Sequence, residues 1–390
     1  MTAPNCTRIA SLLIATAIGA CPQTCKNAVD SADPDYGTRI RQLIKADGHE
    51  HNLYYDRDPW NADQSYMLGI WSDLQQKNWS VVLYDGNGCF LRPLFPISRF
   101  DWRLVWDRND PQVLYTWNGS RLYRYTVNSG QADLLKDFAP LSLTPGGPSV
   151  NRAGDRILVT TSDHVFHSYH LPDMQGERTF TMELPTGCAA GWDKQRYVGY
   201  KNYVMMSCQS HDGTTQATLV YDDTGELYHR FDGVGGGGHH DFSPDGRWAY
   251  FTLWGRGKPL EIHVANLDGS NDRVVLSIPN TQLGYVQNLH LAWPRGVNGW
   301  FVASFFPSAN HLPSAYAPYL DEIIQVRTDG TTRTLARSRT AYSAATRRSG
   351  GAEDFFWAQP LARPSADGTR INFNSNAAGT IDQCLLWVER

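Results

Sequence analysis

The chain lacks the features by which nucleic-acid and metal-thiolate proteins are usually recognised. Its 35 Lys and Arg residues are outnumbered by 39 Asp and Glu residues, and the basic residues are scattered rather than clustered. A net charge of -4 without a basic patch cannot hold a phosphate backbone well, so we expect no nucleic-acid partner. The seven cysteines contain no C-x-x-C pair, which argues against a zinc-thiolate site.

Long hydrophobic runs are also missing. Residues 9–19 form one apolar and small-residue stretch behind Arg8, which is too short to span a bilayer and suits the core of a signal peptide. We therefore predict a signal peptide at residues 1–20 and a tether at 21–37, with no transmembrane segment. The sequence IGAC at 18–21 also fits acylation of Cys21, so the expected location is either secreted or a periplasmic or outer-membrane lipoprotein.

Strand and turn formers are abundant, and some of them repeat. The sequence SPDGRWAYFT at 243–252 recurs as SADGTRINFN at 365–374 and, in degenerate form, as NADQSYMLGI at 61–70. Each copy fits a strand, an Asp-Gly-type turn and a second strand. A repeat of about 40 to 50 residues built from such hairpins is typical of a propeller blade.

The repeats predict an all-β fold, a seven-bladed β-propeller of four-stranded antiparallel blades over residues 38–390. The blades are expected to begin near Arg57, Asp101, Gly147, Gly191, Gly238, Asn288 and Gln359. Blade seven lacks a fourth strand, and the N-terminal residues 38–44 are predicted to supply it. This exchange would close the ring and remove exposed sheet edges.

Two cysteines are expected on neighbouring strands of blade four. An export compartment would allow Cys188 and Cys208 to form a disulfide, and two buried thiols fit equally well. Cys25, Cys89 and Cys384 carry no assignment from spacing alone.

Candidate site residues collect where the chain enters the innermost strands, because these strands line the central channel. His239 and His240 follow a run of four glycines, and alternation along a strand lets only one of them face the channel. The other candidates, at corresponding positions or on the long loops 307–320 and 340–356, are Arg57, Tyr285, Gln287, His290, Gln359, Arg363, Tyr316 and Arg347. Arginine forks and aromatic faces suit an acidic oligo- or polysaccharide, bound by a monomer.

The segment GHHDFSPDG at 238–246 resembles the oligogalacturonate lyase group, seven-bladed propellers that cleave uronic-acid glycans by β-elimination. The resemblance covers roughly residues 38–390 and implies a metal-binding role for His239, four residues before Ser243, with Mn or Ca as the expected ion. The family's remaining ligands lie at the start of the last blade. The chain has Gln359 there but no histidine, and His290 is the candidate replacement.

β-Elimination requires a neutralised carboxylate, a base and an acid. We expect neutralisation by Arg363, or by a metal held by His239, His240 and His290. Proton transfer is assigned to His240, His290 or Tyr285. Substrate contacts are assigned to Arg57, Gln287, Gln359, Tyr316 and Arg347. The alternative is a non-catalytic propeller scaffold that binds a protein or a glycan.

Overall fold

The computed structural model describes residues 25, 28–43, 48–97, 104–144, 147–184, 186, 188–199, 201–210, 216–234, 238–252, 257–284, 286–307, 317–340 and 356–389, with the backbone alone at 188–194, 209, 210, 287 and 307. Within these ranges the chain forms 29 strands arranged in seven sheets. None of the helices in the described part is long and apolar enough to cross a membrane.

The strands follow one another blade by blade. Two N-terminal strands, β1 (Val29–Ala32) and β2 (Arg39–Leu43), precede blade one. Blade one comprises β3 (Gly48–His51), β4 (Tyr66–Asp73), β5 (Trp79–Asp85) and β6 (Phe90–Ile97). Blade two comprises β7 (Leu104–Trp106), β8 (Val113–Asn118), β9 (Arg121–Thr126) and β10 (Gln131–Asp137). Blade three comprises β11 (Ser149–Val150), β12 (Arg156–Thr160), β13 (Val165–His170) and β14 (Arg178–Thr181).

Blade four comprises β15 (Cys188–Val198), β16 (Tyr203–Ser210), β17 (Gln216–Tyr221) and β18 (Leu227–Asp232). Blade five comprises β19 (Asp241–Phe242), β20 (Arg247–Phe251), β21 (Leu260–Asn266) and β22 (Arg273–Ile278). After a 3-10 turn (Asn280–Gln282), blade six comprises β23 (Val286–Ala292), β24 (Trp300–Pro307), β25 (Glu322–Arg327) and β26 (Thr332–Arg337). Blade seven contains β27 (Arg363–Pro364), β28 (Arg370–Ser375) and β29 (Asp382–Trp387).

Pairing of β2 with β29 supplies the fourth strand of blade seven, so the predicted ring closure by the N-terminus is confirmed. β1 pairs with β2 as a fifth strand, in a region predicted to be only a tether. Seven four-stranded antiparallel blades are therefore confirmed. Blade one begins at Gly48 rather than near Arg57, because residues 52–58 leave the strand direction before the chain reaches β4.

The repeated turns share one hydrogen-bonding pattern. Gly246 has a φ of 83°, and the Ser243 hydroxyl accepts a bond from Arg247 N at 2.8 Å. In the second copy Gly368 has a φ of 69°, and Ser365 accepts from Arg370 N at 3.0 Å. Glycine is favoured because these turns need positive φ. The degenerate copy keeps the geometry with Gln64 at a φ of 61°.

Two cysteine pairings bear on the N-terminal half. Cys25 forms a disulfide with Cys89, which ties the chain ahead of β1 to the turn between β5 and β6. Cys208 is also disulfide-bonded. Cys208 lies on β16, and the neighbouring strand β15 begins at Cys188, so the two cysteines lie on neighbouring strands as predicted. Only the backbone of Cys188 is described. Cys384 is free and buried.

Apolar side chains fill the spaces between neighbouring blades. Leu260, Ile262 and Val264 alternate along β21 and pack with Leu289 and Leu291 of the innermost strand of blade six. Alternation sends every second side chain of a strand into such a core. This packing fixes the inner strands of blades five and six beside each other, which positions the histidines described below.

Candidate functional site

Residues 52–58, here called the crossing segment, lie across the axis of the ring between β3 and β4. The segment contacts every other blade or the stretch leading into it. Asn52 Nδ2 donates to Leu361 O ahead of blade seven, Tyr54 reaches His239 and His290 of blades five and six, and Tyr55 Oη donates to Gly238 O. Asp56 pairs with Arg196 of blade four, and Arg57 donates to Pro148 O ahead of blade three. Asp58 pairs with three arginines, Arg108 of blade two, Arg295 of blade six and Arg363 of blade seven. The crossing segment therefore separates the two ends of the channel.

The central channel has two ends, which differ in the connections between strands. At one end, the loop-side mouth, lie the stretches that lead into the innermost strands and the loops that join the second and third strands of each blade. At the hairpin-side mouth lie the turns between the first and second strands, such as Ser243 to Gly246. Leu291 N donates to His239 O at 3.1 Å, which aligns the start of blade five's inner strand with β23.

Four side chains meet on the loop side of the crossing segment and form the histidine cluster: Tyr54, Tyr55, His239 and His290. The rings of His239 and His290 have centroids 4.2 Å apart. Tyr54 Oη lies 3.4 Å from Nε2 of each histidine, and the ring of Tyr55 lies 4.6 Å from that of His290. The cluster thus brings the Tyr54 hydroxyl and two imidazoles to one point, from blades one, five and six.

Burial differs among these side chains. His290 is 0% exposed and Tyr54 is 3% exposed, whereas His239 is partly exposed. Burial raises the pKa of Tyr55, which stays a neutral donor to Gly238 O at 2.6 Å. His239 is therefore the member of the cluster that a ligand can reach directly.

His240 points away from the cluster. Its ring packs against Trp248 and Phe251, with centroids 5.3 and 5.1 Å away, inside the packing of blade five. The expectation that only one of the two consecutive histidines faces the channel agrees with this geometry, because neighbouring side chains on a strand point in opposite directions. His240 is not brought together with His239 and His290.

Arg57 and Arg363 belong to a buried charge network. Arg57 is 6% exposed and donates to Pro148 O at 2.8 Å. Arg363 is 1% exposed and pairs with Asp58 at 2.9 Å and Asp241 at 2.6 Å. Burial opposes its charge, but the two carboxylates outweigh burial and raise the pKa of Arg363. Both guanidinium groups are thus engaged by the protein itself.

The other predicted site residues fall into two groups. Gln359 is buried, and its backbone N–H donates to Phe356 O at 3.2 Å, just ahead of β27. Phe356 stacks on Tyr54, a member of the histidine cluster. Gln359 is therefore close along the chain to a residue that contacts the cluster. Tyr285, Tyr316 and Arg347 lie outside the described residues, and only the backbone of Gln287 is described.

The described residues around the histidine cluster do not offer enough ligands for a divalent metal. Within the described ranges no group of three or more His, Cys, Asp or Glu side chains is arranged to hold a metal ion. His239 and His290 offer two imidazole nitrogens, and both face the Tyr54 hydroxyl. Two nitrogens fall short of the four ligands that Zn-type sites use or the six that Mn and Ca prefer.

Sequence reasoning missed Tyr54, Tyr55, Asp56 and Arg196. The first three belong to the run YYDRD at 54–58, which does not alternate between apolar and polar as a half-buried strand does. That break in pattern was the available signal. The sequence around Arg196 gives no such signal, because its partner Asp56 is 140 residues away along the chain.

The fold and its axial cluster define the chain as a seven-bladed β-propeller whose channel is crossed by its own polypeptide. It is similar to an oligogalacturonate lyase solved in complex with manganese, with a TM-score of 0.70, 14% identity, and coverage of 93% of this chain and 96% of that one. It is also similar to an oligogalacturonate lyase from Vibrio parahaemolyticus, with a TM-score of 0.67, 11% identity, and coverage of 93% of this chain and 97% of that one. The structure of U3-55K is similar with a TM-score of 0.54, 9% identity, and coverage of 92% of this chain and 100% of that one.

These likenesses establish the fold and confirm that the chain resembles the oligogalacturonate lyases structurally. No protein-family model matches the sequence. No curated protein matches it either. The identities are too low to transfer an activity, so function has to be argued from the histidine cluster.

Proposed function

We propose that the chain is a polysaccharide lyase that cleaves uronic-acid glycans by β-elimination at the loop-side mouth. The observation that carries the proposal is the convergence of His239 and His290 on the hydroxyl of Tyr54. The similarity in fold to two oligogalacturonate lyases supports it. The substrate is an acidic oligo- or polysaccharide, and the working form is a monomer.

In this reaction a base removes the proton at C5 of the uronate, the bond from C4 to the leaving oxygen breaks, and a C4–C5 double bond forms. We assign the base to His239, the accessible imidazole. Tyr54 links His239 to His290 and can pass a proton between them, since a phenol both donates and accepts hydrogen bonds. The buried His290 receives the proton that His239 takes from C5, and the leaving oxygen takes a proton from water at the loop-side mouth.

The uronate carboxylate must be neutralised before the C5 proton becomes acidic. Arg363 is already paired with Asp58 and Asp241, so in this proposal it positions the carbonyl of Tyr55, to which Nη1 donates at 3.2 Å. We keep Arg347 as the proposed partner of the carboxylate.

The second candidate is a propeller that binds a glycan or protein without catalysis. The burial of His290 and Tyr54 favours it, because substrate can reach only His239 among the three groups of the relay. The same fold occurs in U3-55K. The two candidates differ in product formation, which one assay detects.

The assay incubates the protein with polygalacturonate, ulvan, glucuronan and rhamnosyl-glucuronate glycans, with and without a chelator, and follows the ultraviolet absorbance of an unsaturated uronate. We expect product from at least one glycan, and a loss of about 10²-fold or more in kcat for His239→Ala. His170→Ala, an exposed histidine on β13, is the matched control and should keep full activity. Absence of unsaturated product from every glycan would leave the binding function.

Tyr54→Phe separates proton relay from packing. The ring stays stacked on Phe356, and only the hydroxyl shared by the two histidines is lost. We expect kcat to fall by about 10²-fold with KM little changed, because the hydroxyl acts in proton transfer and not in binding. Tyr228→Phe, an exposed tyrosine on β18, should match the wild type. Equal kcat values for Tyr54→Phe and wild type would remove Tyr54 from the mechanism.

We further propose that the protein is exported, with residues 1–20 removed as a signal peptide. The intact mass of the protein recovered from its own host tests this. A mature chain that starts after residue 20 supports export, and an added diacylglycerol on Cys21 would identify a lipoprotein. A chain that retains residues 1–20 would overturn it.

A further inference from the structure

A cavity lies at the hairpin-side mouth, on the opposite side of the crossing segment from the histidine cluster. It encloses about 220 Å³. Its charged lining residues are Arg108, Arg152, Arg196, Arg295, Arg363 and Asp241. The wall is completed by the ends of inner strands and by the turn that follows β19. Apart from Arg363, which also holds the carbonyl of Tyr55, no lining residue of this cavity has a part in the proposed β-elimination.

Positive charge is in excess around the cavity. Three aspartates pair with four of the five arginines: Asp58 with Arg108, Arg295 and Arg363, Asp241 with Arg363, and Asp56 with Arg196. Within this set the arginines exceed the carboxylates by two charges. Asp56 is also shared with Arg57, so it contributes less than a full charge to Arg196.

Two of the arginines keep hydrogen-bonding capacity unused by the described protein. Arg152 lines the cavity and is exposed, and it makes no hydrogen bond or ion pair with any described residue. The Nε–H of Arg108 is buried and finds no acceptor among described residues. Arg152 is the one of the two whose donors a ligand in the cavity can reach, because the Nε atom of Arg108 is buried.

We propose that this cavity binds a small oxyanion carrying two or more negative charges, of the phosphate or polycarboxylate type. Arginine presents a planar fork of donors that matches both kinds of oxyanion. The surplus of two positive charges selects a multivalent anion over a single uronate, which carries one. The proposal therefore concerns a different ligand and a different end of the channel from the lyase site, and it does not rest on lyase activity.

Isothermal titration of the full chain with inorganic phosphate and with citrate tests the site, with chloride at matched ionic strength as background. We expect saturable binding of at least one of the two anions. Arg152→Gln should weaken binding about tenfold, the size expected for one charge-assisted contact. Arg273→Gln, an exposed arginine on β22, should bind like the wild type. The anion that binds with the lower Kd shows whether the natural ligand is of the phosphate or the polycarboxylate type.

Arg295→Gln provides a second variant at the other side of the cavity, and thermal unfolding with and without ligand checks that each variant is folded. Ligand that binds the folded state should raise the unfolding temperature of the wild type more than that of either variant. Failure of both phosphate and citrate to bind would overturn the site. Equal affinities for wild type, Arg152→Gln and Arg295→Gln would overturn it as well. Glycan cleavage enters neither measurement, so a failed lyase proposal leaves the result readable.

Discussion

Two aspartates are buried where an ionised carboxylate is poorly solvated. Burial raises the pKa of Asp321 to about 7 and that of Asp382 to about 6. Arg337 and Arg339 act in the opposite direction on Asp321 but do not compensate for burial, and Glu322 adds to it. A buried carboxylate of this kind costs stability whenever it must be charged.

The sign of the effect follows from the two pKa values of Asp321. In the unfolded chain the group ionises near 3.8, and in the fold only near 7. Its contribution to stability is therefore fully present below about pH 4 and is lost as pH rises to about 7. Three pKa steps correspond to about 4 kcal/mol at most.

Replacing Asp321 by Asn should remove this pH dependence. Asparagine tolerates the φ of 48° at this position and can still accept the hydrogen bond from the backbone of Arg339. We expect Asp321→Asn to unfold at higher urea concentration than the wild type at pH 8 and at a similar concentration at pH 4. In the control Asp329→Asn, an exposed turn residue whose pKa is lowered by the Thr331 N–H, no gain at pH 8 should appear. A wild-type midpoint that is flat from pH 4 to 7 would contradict the assignment.

At the scale of elements, the crossing segment decides how the channel is used. Its seven residues run from β3 toward β4, and their partners come from blades two to seven. Asp58 alone accepts bonds or ion pairs from three arginines of different blades. A segment tied this way acts as an internal cross-link, and it also divides the histidine cluster from the arginine-lined cavity.

Asp58→Asn tests how strongly the crossing segment is held. Removing this carboxylate takes one partner from Arg108 and Arg295 and leaves the buried Arg363 with Asp241 alone, and breaking a buried pair typically costs about 3–5 kcal/mol. We expect a loss of that order in the free energy of unfolding from urea denaturation. The control is Asp232→Asn, which breaks an exposed pair with Arg230 and should cost less than about 1 kcal/mol. Equal losses in the two variants would show that the network adds little stability.

At the scale of the whole molecule, the N-terminus holds the ring closed. β2 lies against β29 with Ile40 opposite Leu386 and Leu43 opposite Gln383, and the Cys25–Cys89 disulfide fixes the preceding chain to blade one. Without β2 the backbone groups of β29 would face solvent as an open sheet edge, which invites pairing with another chain.

Truncation tests the closure. A chain starting at residue 44 should lose its cooperative thermal transition and aggregate, because blade seven is left with three strands. A chain starting at residue 25 retains β1, β2 and Cys25, and it should unfold like the longer protein. Light scattering during a thermal scan distinguishes them. If both truncations unfold at the same temperature without aggregation, the ring is closed by other contacts.

Local features of the sequence determined much of this architecture. The Ser-x-Asp-Gly repeats predict the hairpins, because the turn needs positive φ at Gly246 and Gly368 and a serine hydroxyl that accepts a bond from the backbone amide at the start of the following strand. Their spacing predicts seven blades, and the incomplete last blade predicts the strand from the N-terminus. Alternation also predicts that His239 and His240 diverge. All of these depend on contacts between residues close in the chain or on strands of one sheet.

Only the tertiary structure decided what lies on the axis. Tyr54 meets His239 and His290 across 185 and 236 residues, and Asp58 meets Arg363 across 305. Such meetings depend on the closed ring, which brings the inner strands of all blades within reach of one segment, and no local periodicity encodes them. For the same physical reason Arg363, placed by sequence at a sugar carboxylate, is paired instead with the protein's own aspartates.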